Sequence, residues 1–262
     1  MAQNIFEQYG IKEVADVQFE ALESDKRLGV EAGDVVMYLD TLKISTIEVT
    51  ADQTEAKGGK GNPPLIVWDF GKEITVTLQD ALFTMTSLAV MTSAAVKEAK
   101  SDGKVVVRYT QEVTGATTMT LKQKPVGKVR WLDLDKGARG QAEAETEGTS
   151  LSLTNLTGAA AGDRIKLFYD IEVDGSTGTA YEITIDAANF PGTYKVYGDT
   201  LVKNRNGKNS PYQFIINRAK VDSNVTFTME AEGDPSVFDM SLRVLRADNG
   251  DMIKFVKYEL GE

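Results

Sequence analysis

The stretch GKEITVTLQDALFTMTSLAVMT, Gly71–Thr92, carries two periodicities in succession, and reading them decides the fold class. Ile74, Val76 and Leu78 alternate with Thr75 and Thr77, so one face of an extended strand is apolar and the other polar. From Asp80 onward the spacing lengthens. Leu82, Met85 and Ala89 fall on one side of a 3.6-residue period, and Asp80 stands where it can cap a first turn, which predicts a short helix over Asp80–Thr92 packed on a sheet.

Working outward, the two-residue period recurs and the helical one does not. Ile47, Val49 and Ala51 follow it, as do Val105, Val107 and Tyr109, then Tyr181, Ile183 and Ile185. Val225, Phe227, Met229 and Ala231 repeat it, and Phe238, Met240, Leu242 and Val244 close the series. Asp102-Gly103, Asp174-Gly175 and Asn206-Gly207 supply tight turns between such segments. The expected fold is mainly β, a sandwich or barrel with one flanking α-helix. Between Ser101 and Gly178 short strands, Lys128–Leu134 and Asp163–Val173, flank the polar tract Gly137–Gly148. That segment reads either as an inserted β-sandwich module or as long hairpins of one larger domain. The insertion reading divides the chain into an arm, 1–29, a discontinuous core, 30–100 with 179–262, and a module, 101–178.

Composition narrows the function. With 262 residues and 42% hydrophobic content the chain can bury a sizeable core. Its 29 Lys and Arg against 39 Asp and Glu leave a charge of -10, which disfavours a grip on phosphate backbones. There is no cysteine, so disulfides, thiolate metal sites and thiol nucleophiles are excluded. There is no histidine either, which removes the usual general base and the commonest metal ligand. Neither a signal peptide nor an apolar span is legible, so the expected place of synthesis is the cytosol. An enzyme is not expected, and no cofactor or metal is predicted.

The segment TEAKGGKGNPPLIVW, Thr54–Trp68, is rich in Gly and Pro between two strand-like runs and reads as a long excursion from a hairpin. Lys57 and Lys60 beside glycines suggest a phosphate cradle, but the GxxxxGK[ST] spacing is absent. An assembly loop is the better functional reading, with a plain surface hairpin as the alternative. Asp133 with Asp135, and Asp170 with Glu172 and Asp174, are two apart on expected strands and form rows that calcium could use. Such rows are ordinary on solvated strand faces. Asp248-Asn249-Gly250-Asp251 reads as a turn. Trp68 and Trp131 could anchor an interface, with core packing the better reading for each. Near the start, Ile5, Phe6, Tyr9, Ile11, Phe19 and Leu22 are apolar without a period, as in an arm docking on a neighbouring subunit or a segment covering its own core.

Two blocks resemble the tail tube proteins of tailed bacteriophages. GGKGNPPLIVWDFGKEITVTLQDALFTMTSLAVM, Gly58–Met91, is similar to their loop, strand and helix. FPGTYKVYGDTLVKNRNGKNSPYQFIINRAKVDSNVTFTMEAEGDPSVFDMSLRVL, Phe190–Leu245, is similar to their C-terminal half. The resemblance implies a virion structural protein forming six-membered rings stacked into a hollow tube through which DNA passes without specific binding. It implies assembly in the host cytoplasm with other tail proteins, such as a tape measure, a tail terminator and, in some tails, a sheath. It assigns an inter-ring role to Thr54, Glu55, Lys57, Lys60, Asn62, Pro63 and Pro64, and further ring contacts to Ile5, Phe6 and Tyr9. Ser101–Gly178 is longer than a minimal tube subunit needs and implies an outward module. Rival readings are a capsid decoration or baseplate protein and a carbohydrate-binding β-protein.

Overall fold

A computed structural model describes residues 7–100, 103–144, 148–224 and 237–259. In chain order the strands begin with β1 (Tyr9–Ile11), β2 (Asp16–Ala21), β3 (Val35–Leu39), β4 (Leu42–Lys57) and β5 (Pro64–Asp80). The helix α1 (Met85–Thr92) and β6 (Ala95–Glu98) follow. Then come β7 (Val105–Thr114), β8 (Thr118–Thr120), β9 (Val126–Asp133), β10 (Arg139–Ala142), β11 (Ser150–Ser152) and β12 (Arg164–Val173). The chain finishes with β13 (Tyr181–Thr184), β14 (Thr193–Asn204), β15 (Asn209–Val221), β16 (Phe238–Val244) and β17 (Ile253–Lys257). The fold is mainly β, and its contacts divide into two compact units, residues 1–96 with 183–262 and residues 97–182.

The first unit is built on a nine-stranded sheet in the order β3-β2-β14-β15-β16-β5-β4, with β1 also on β14 and β17 also on β15. Among the described residues the sheet does not close, so of the expected sandwich or barrel no closed barrel is formed there. β15 changes partner along its length. Tyr212–Ile216 face β17, and Ala219–Val221 face β16. Alternation places Val17, Phe19, Val76, Leu78, Val196, Ile216 and Leu242 inside with no exposure. Gly198 faces Phe214 across the β14–β15 pair, and a Cβ there would lie 2.1 Å from the Phe214 ring. A glycine at this point is what lets the ring fold over the strand. Of the segment 1–29, residues 9–11 and 16–21 are β1 and β2 of this sheet. The expected strand around Val225, Phe227, Met229 and Ala231 lies outside the described residues.

The helix is shorter than its spacing predicts and begins at a different cap. Thr84 is the N-cap, its hydroxyl accepting from the Ser87 amide at 3.0 Å while the Ser87 hydroxyl accepts from the Thr84 amide at 2.9 Å. Such a reciprocal box satisfies two donors that would be left open at a helix start. Asp80 instead ends β5, buried, accepting from the Thr41 hydroxyl. Leu82 is accordingly 64% exposed in the connection, not on the helix. At the other end Ser93 is left-handed, and Arg27, paired with Asp25, donates to the Ser93 hydroxyl at 2.9 Å. A cation there complements the helix C-terminus.

The second unit has a four-stranded sheet, β10-β9-β12-β7, and a two-stranded ribbon, β11-β8. Val129, Trp131, Ile165, Leu167, Tyr169, Leu151 and Leu156 form its core. A buried polar chain runs through it: the Tyr169 hydroxyl donates to Gln111 Oε1 at 3.0 Å, and the Gln111 amide donates to the Thr120 carbonyl at 2.9 Å. β10 lies inside the polar tract Gly137–Gly148, where Arg139–Ala142 pair with β9 despite their polarity. β13 and β6 pair as a separate ribbon. Tyr181 and Ile185 are exposed, against the buried face their alternation predicts, and among the described residues no further strand pairs with this ribbon.

Candidate assembly surface

β4 and β5 form one ladder running from Leu42 opposite Asp80 to Lys57 opposite Pro64. The turn therefore occupies only residues 58–63, where the Gly58 amide reaches the Pro63 carbonyl at 3.2 Å and the Asn62 amide the Gly59 carbonyl at 3.1 Å. Gly59, Gly61 and Asn62 all have positive φ there, a backbone form that glycine and asparagine tolerate. The long excursion expected over Thr54–Trp68 is thus corrected to paired strands with a tight end, as in the plain-hairpin alternative. β-branched and aromatic residues, Ile66, Val67, Trp68 and Phe70, outweigh the flanking Gly and Pro because they extend the alternation of Ile74–Leu78.

The assembly-loop residues divide accordingly. Thr54 lies opposite Trp68 and Glu55 opposite Val67, while Lys57 closes the ladder and pairs with Glu55 at 3.0 Å. Lys60, Asn62 and Pro63 are in the turn, and Pro64 opens β5, where a missing amide hydrogen costs least. No phosphate cradle results, because these glycines lead into a strand and not a helix N-terminus.

Beyond Val49 the ladder is uncovered on both sides among the described residues. Ile66 (52%), Trp68 (50%) and Phe70 (54%) project from one face and Leu65 and Val67 from the other, all exposed. Trp68, expected in the core, is therefore a surface residue, whereas Trp131 is buried in the second unit. Val49 and Ala51, read as a buried face, are exposed for the same reason: among the described residues no second sheet lies against this half of the hairpin. The inner half is different. Ile74, Val76 and Leu78 are at most 3% exposed.

The ends of the nine-stranded sheet are β3 and β4. Among the described residues each lacks a strand partner on its outer side, so a row of backbone N–H and C=O groups is left open at both edges. Val35 and Tyr38 are exposed at one edge, Ile44 and Val49 at the other. Of the arm residues, Ile5 and Phe6 lie outside the described residues. Tyr9 sits on β1 opposite Asn204, with the Lys257 ammonium 4.5 Å from its ring centre. Hydrogen bonds from the Tyr9 hydroxyl and the Asn204 amide hold the Glu7 carboxyl below its usual pKa.

Charge is unevenly spread. The first unit holds 17 Lys and Arg against 26 Asp and Glu, the second 12 against 13, so nearly all the negative excess belongs to the first. On its sheet Asp16 and Asp199 are direct cross-strand partners. Like charges so placed repel. Asp16, above all, with Asp40 and Asp199, raises the pKa of the Tyr38 hydroxyl. The carboxylate rows considered for calcium are otherwise engaged. Asp135 pairs with Arg164 at 3.0 Å, Asp170 with Arg108 at 2.8 Å and Glu172 with Lys104 at 2.6 Å. Asp133 is fully buried and accepts the Asp135 and Lys136 amides. Asp251 pairs with Lys254 next to the Gly250 turn. No group of three acidic side chains among the described residues is arranged to hold a metal ion, and none of the described helices is long and apolar enough to cross a membrane.

Comparison with known proteins gives this surface a context. The YomU/Tube protein family model matches residues 9–255. Over 223 residues the chain is 27% identical to the tail tube protein of Bacillus phage SPR, spanning 85% of this chain and 78% of that relative.

Proposed function

The chain belongs to the YomU/Tube protein family, a phage tail tube family and not an enzyme family, and from that premise we propose that it builds six-membered rings stacked around a DNA-conducting channel. It is a structural protein of the virion. Its work is to join copies of itself in two directions, around a ring and along a tube.

The observation that carries the ring is the open sheet with two unlike free edges. An edge strand is a template for pairing with another chain. β3 of one copy meeting β4 of the next is a head-to-tail contact, and repeated head-to-tail contacts close into a ring when the rotation permits. The projecting hairpin, including Thr54, Glu55, Lys57, Lys60, Asn62, Pro63 and Pro64, then joins one ring to the next. Ile5, Phe6 and Tyr9 add to that contact. The acidic excess of the first unit suits a wall along which DNA slides, since phosphate and carboxylate repel. The face carrying Asp16 and Asp199 is the one assigned to the channel. The second unit faces outward. Tape measure, tail terminator and, where a tail has one, sheath proteins are the further partners, met in the host cytoplasm.

Electron microscopy of concentrated protein tests this reading beside a variant in which Gln53–Asp69 is replaced by Asn-Gly. That replacement leaves Asp52 and Phe70 facing across a two-residue turn. Hollow tubes from the parent and isolated rings from the variant are expected. A parent that stays monomeric even when seeded with tail-tip complexes overturns the proposal in favour of a decoration protein.

A further inference from the structure

An open groove of about 600 Å³ lies where the segment after β1 crosses the first unit, lined by Ile11, Val14, Ile44, Tyr212, Phe214 and Phe255 among others. Its wall is largely apolar, and Ile11 (65%), Ile44 and Phe255 are exposed to about half or more. Lys12, Glu13 and Lys43 stand at its rim, all exposed, and the two lysines have no ion pair among the described residues, leaving the rim with a net positive charge. A patch of this kind on a chain that assembles is a candidate for burial by a partner.

We infer that the groove is the seat for the hairpin of a second copy, which lays the ridge Ile66, Trp68 and Phe70 into it. The inference rests on the inter-ring reading of the hairpin and adds the surface that receives it. Three observations select this occupant. The ridge is itself exposed and apolar, with its three side chains on one face of the ribbon. Asp52 shares that face, opposite Phe70, and has no ion pair among the described residues, so its charge is opposite to that of the rim lysines, which outnumber Glu13 there two to one. Last, the ridge cannot reach its own groove. Val49 lines the groove on β4, and the partners of Phe70, Trp68 and Ile66 are three, five and seven residues farther along that strand. At ~3.4 Å per residue this sets the ridge about 10 to 24 Å away in a paired, extended ladder. A second copy is required.

The chain has no cysteine, so single cysteines report contacts without background. W68C, or V67C on the opposite face of the ribbon, is mixed with F255C under mild oxidation. Covalent dimers are read on a non-reducing gel and assembly by light scattering. Disulfide geometry tolerates little separation, so W68C with F255C is expected to exceed V67C with F255C by about tenfold. Assembly with equal or absent cross-linking overturns the groove seat while leaving the hairpin's stacking role intact. Mixtures that never assemble, while the parent does not either, overturn the stacking reading and the seat together. If removing residues 1–6 raises the thiol reactivity of monomeric F255C, the chain's own N-terminus fills the groove and the inference is wrong. An I44S/F255S variant supplies a second reading: both positions are about half exposed and within the monomer Phe255 gives up its stacking on Tyr212, so a small drop in melting is expected while its tubes shorten to rings. Full-length tubes from it overturn the inference.

Discussion

The two halves of β5 contain the same kind of residues with the same period and meet opposite fates. Ile74, Val76 and Leu78 are sealed against the opposing strands of the sheet's core, while Ile66, Trp68 and Phe70 stand half in water. A local break lies between them, a register shift at Thr50/Asp52 beside the positive-φ Gly71, yet the residue types on either side are alike. What differs is the presence of a second layer, and that is supplied by distant segments, chiefly β2, β14, β15 and α1. Apolar alternation therefore states that a face will be covered, and leaves open whether the cover comes from the same chain or from another copy.

Substitutions separate the two halves, and the largest effect is expected inside. Leu78→Ala removes a fully buried side chain and is expected to cost about 3 kcal/mol in chemical denaturation of the monomer. Gly198→Ala tests the same core from the side of over-packing. With Phe214 only 2.1 Å from the added carbon, a loss of about 1–3 kcal/mol is expected. Thr84→Ala removes the helix cap beneath which α1 packs and should lower stability by about 1 kcal/mol.

Trp68→Ala is the counterpart on the outer half. Monomer stability is expected to change by less than about 0.5 kcal/mol, as for exposed positions generally, while tube formation fails. A large loss of monomer stability from Trp68→Ala would erase the contrast, because it would mean the outer ladder already has cover. The smallest effect concerns pH. In the second unit Asp174 accepts from Ser176 and Thr177, and these bonds lower its pKa from 3.8 to about 2. Because the folded value is the depressed one, its contribution is full above about pH 4 and is lost as pH falls through 2. Comparing parent with Asp174→Ala, the acid limb of the denaturation curve should differ only in that window.

Legibility in the sequence followed the range of the interactions. The strand Ile74–Leu78 and the helix after it could be read because their signals are local, yet the helix start was misplaced. Asp80 and Thr84 are both good caps, and the choice falls to Thr84 through its box with Ser87 and through the buried contact of Asp80 with Thr41, 39 residues away. The residues Thr54–Pro64 were singled out by their glycines and prolines, but their state was misjudged, since pairing over the whole length from Leu42 to Asp80 overrides local turn chemistry. The groove left no mark at all, because its walls come from residues 11–15, 43–49, 200, 212–214 and 255, segments that no window brings together.

The sequence by itself determined the class of the fold, through a two-residue period that only strands satisfy, and excluded thiol and imidazole chemistry by lacking those side chains. It also carried the likeness to tail tube proteins in Gly58–Met91 and Phe190–Leu245. Tertiary structure alone decided which alternating faces are buried, where the sheet stops, and which edges and apolar residues remain open to another copy. The physical reason is that burial and strand pairing are properties of two surfaces in contact. A strand's own residues specify one of those surfaces, and the rest of the fold, or the neighbouring subunit, specifies the other.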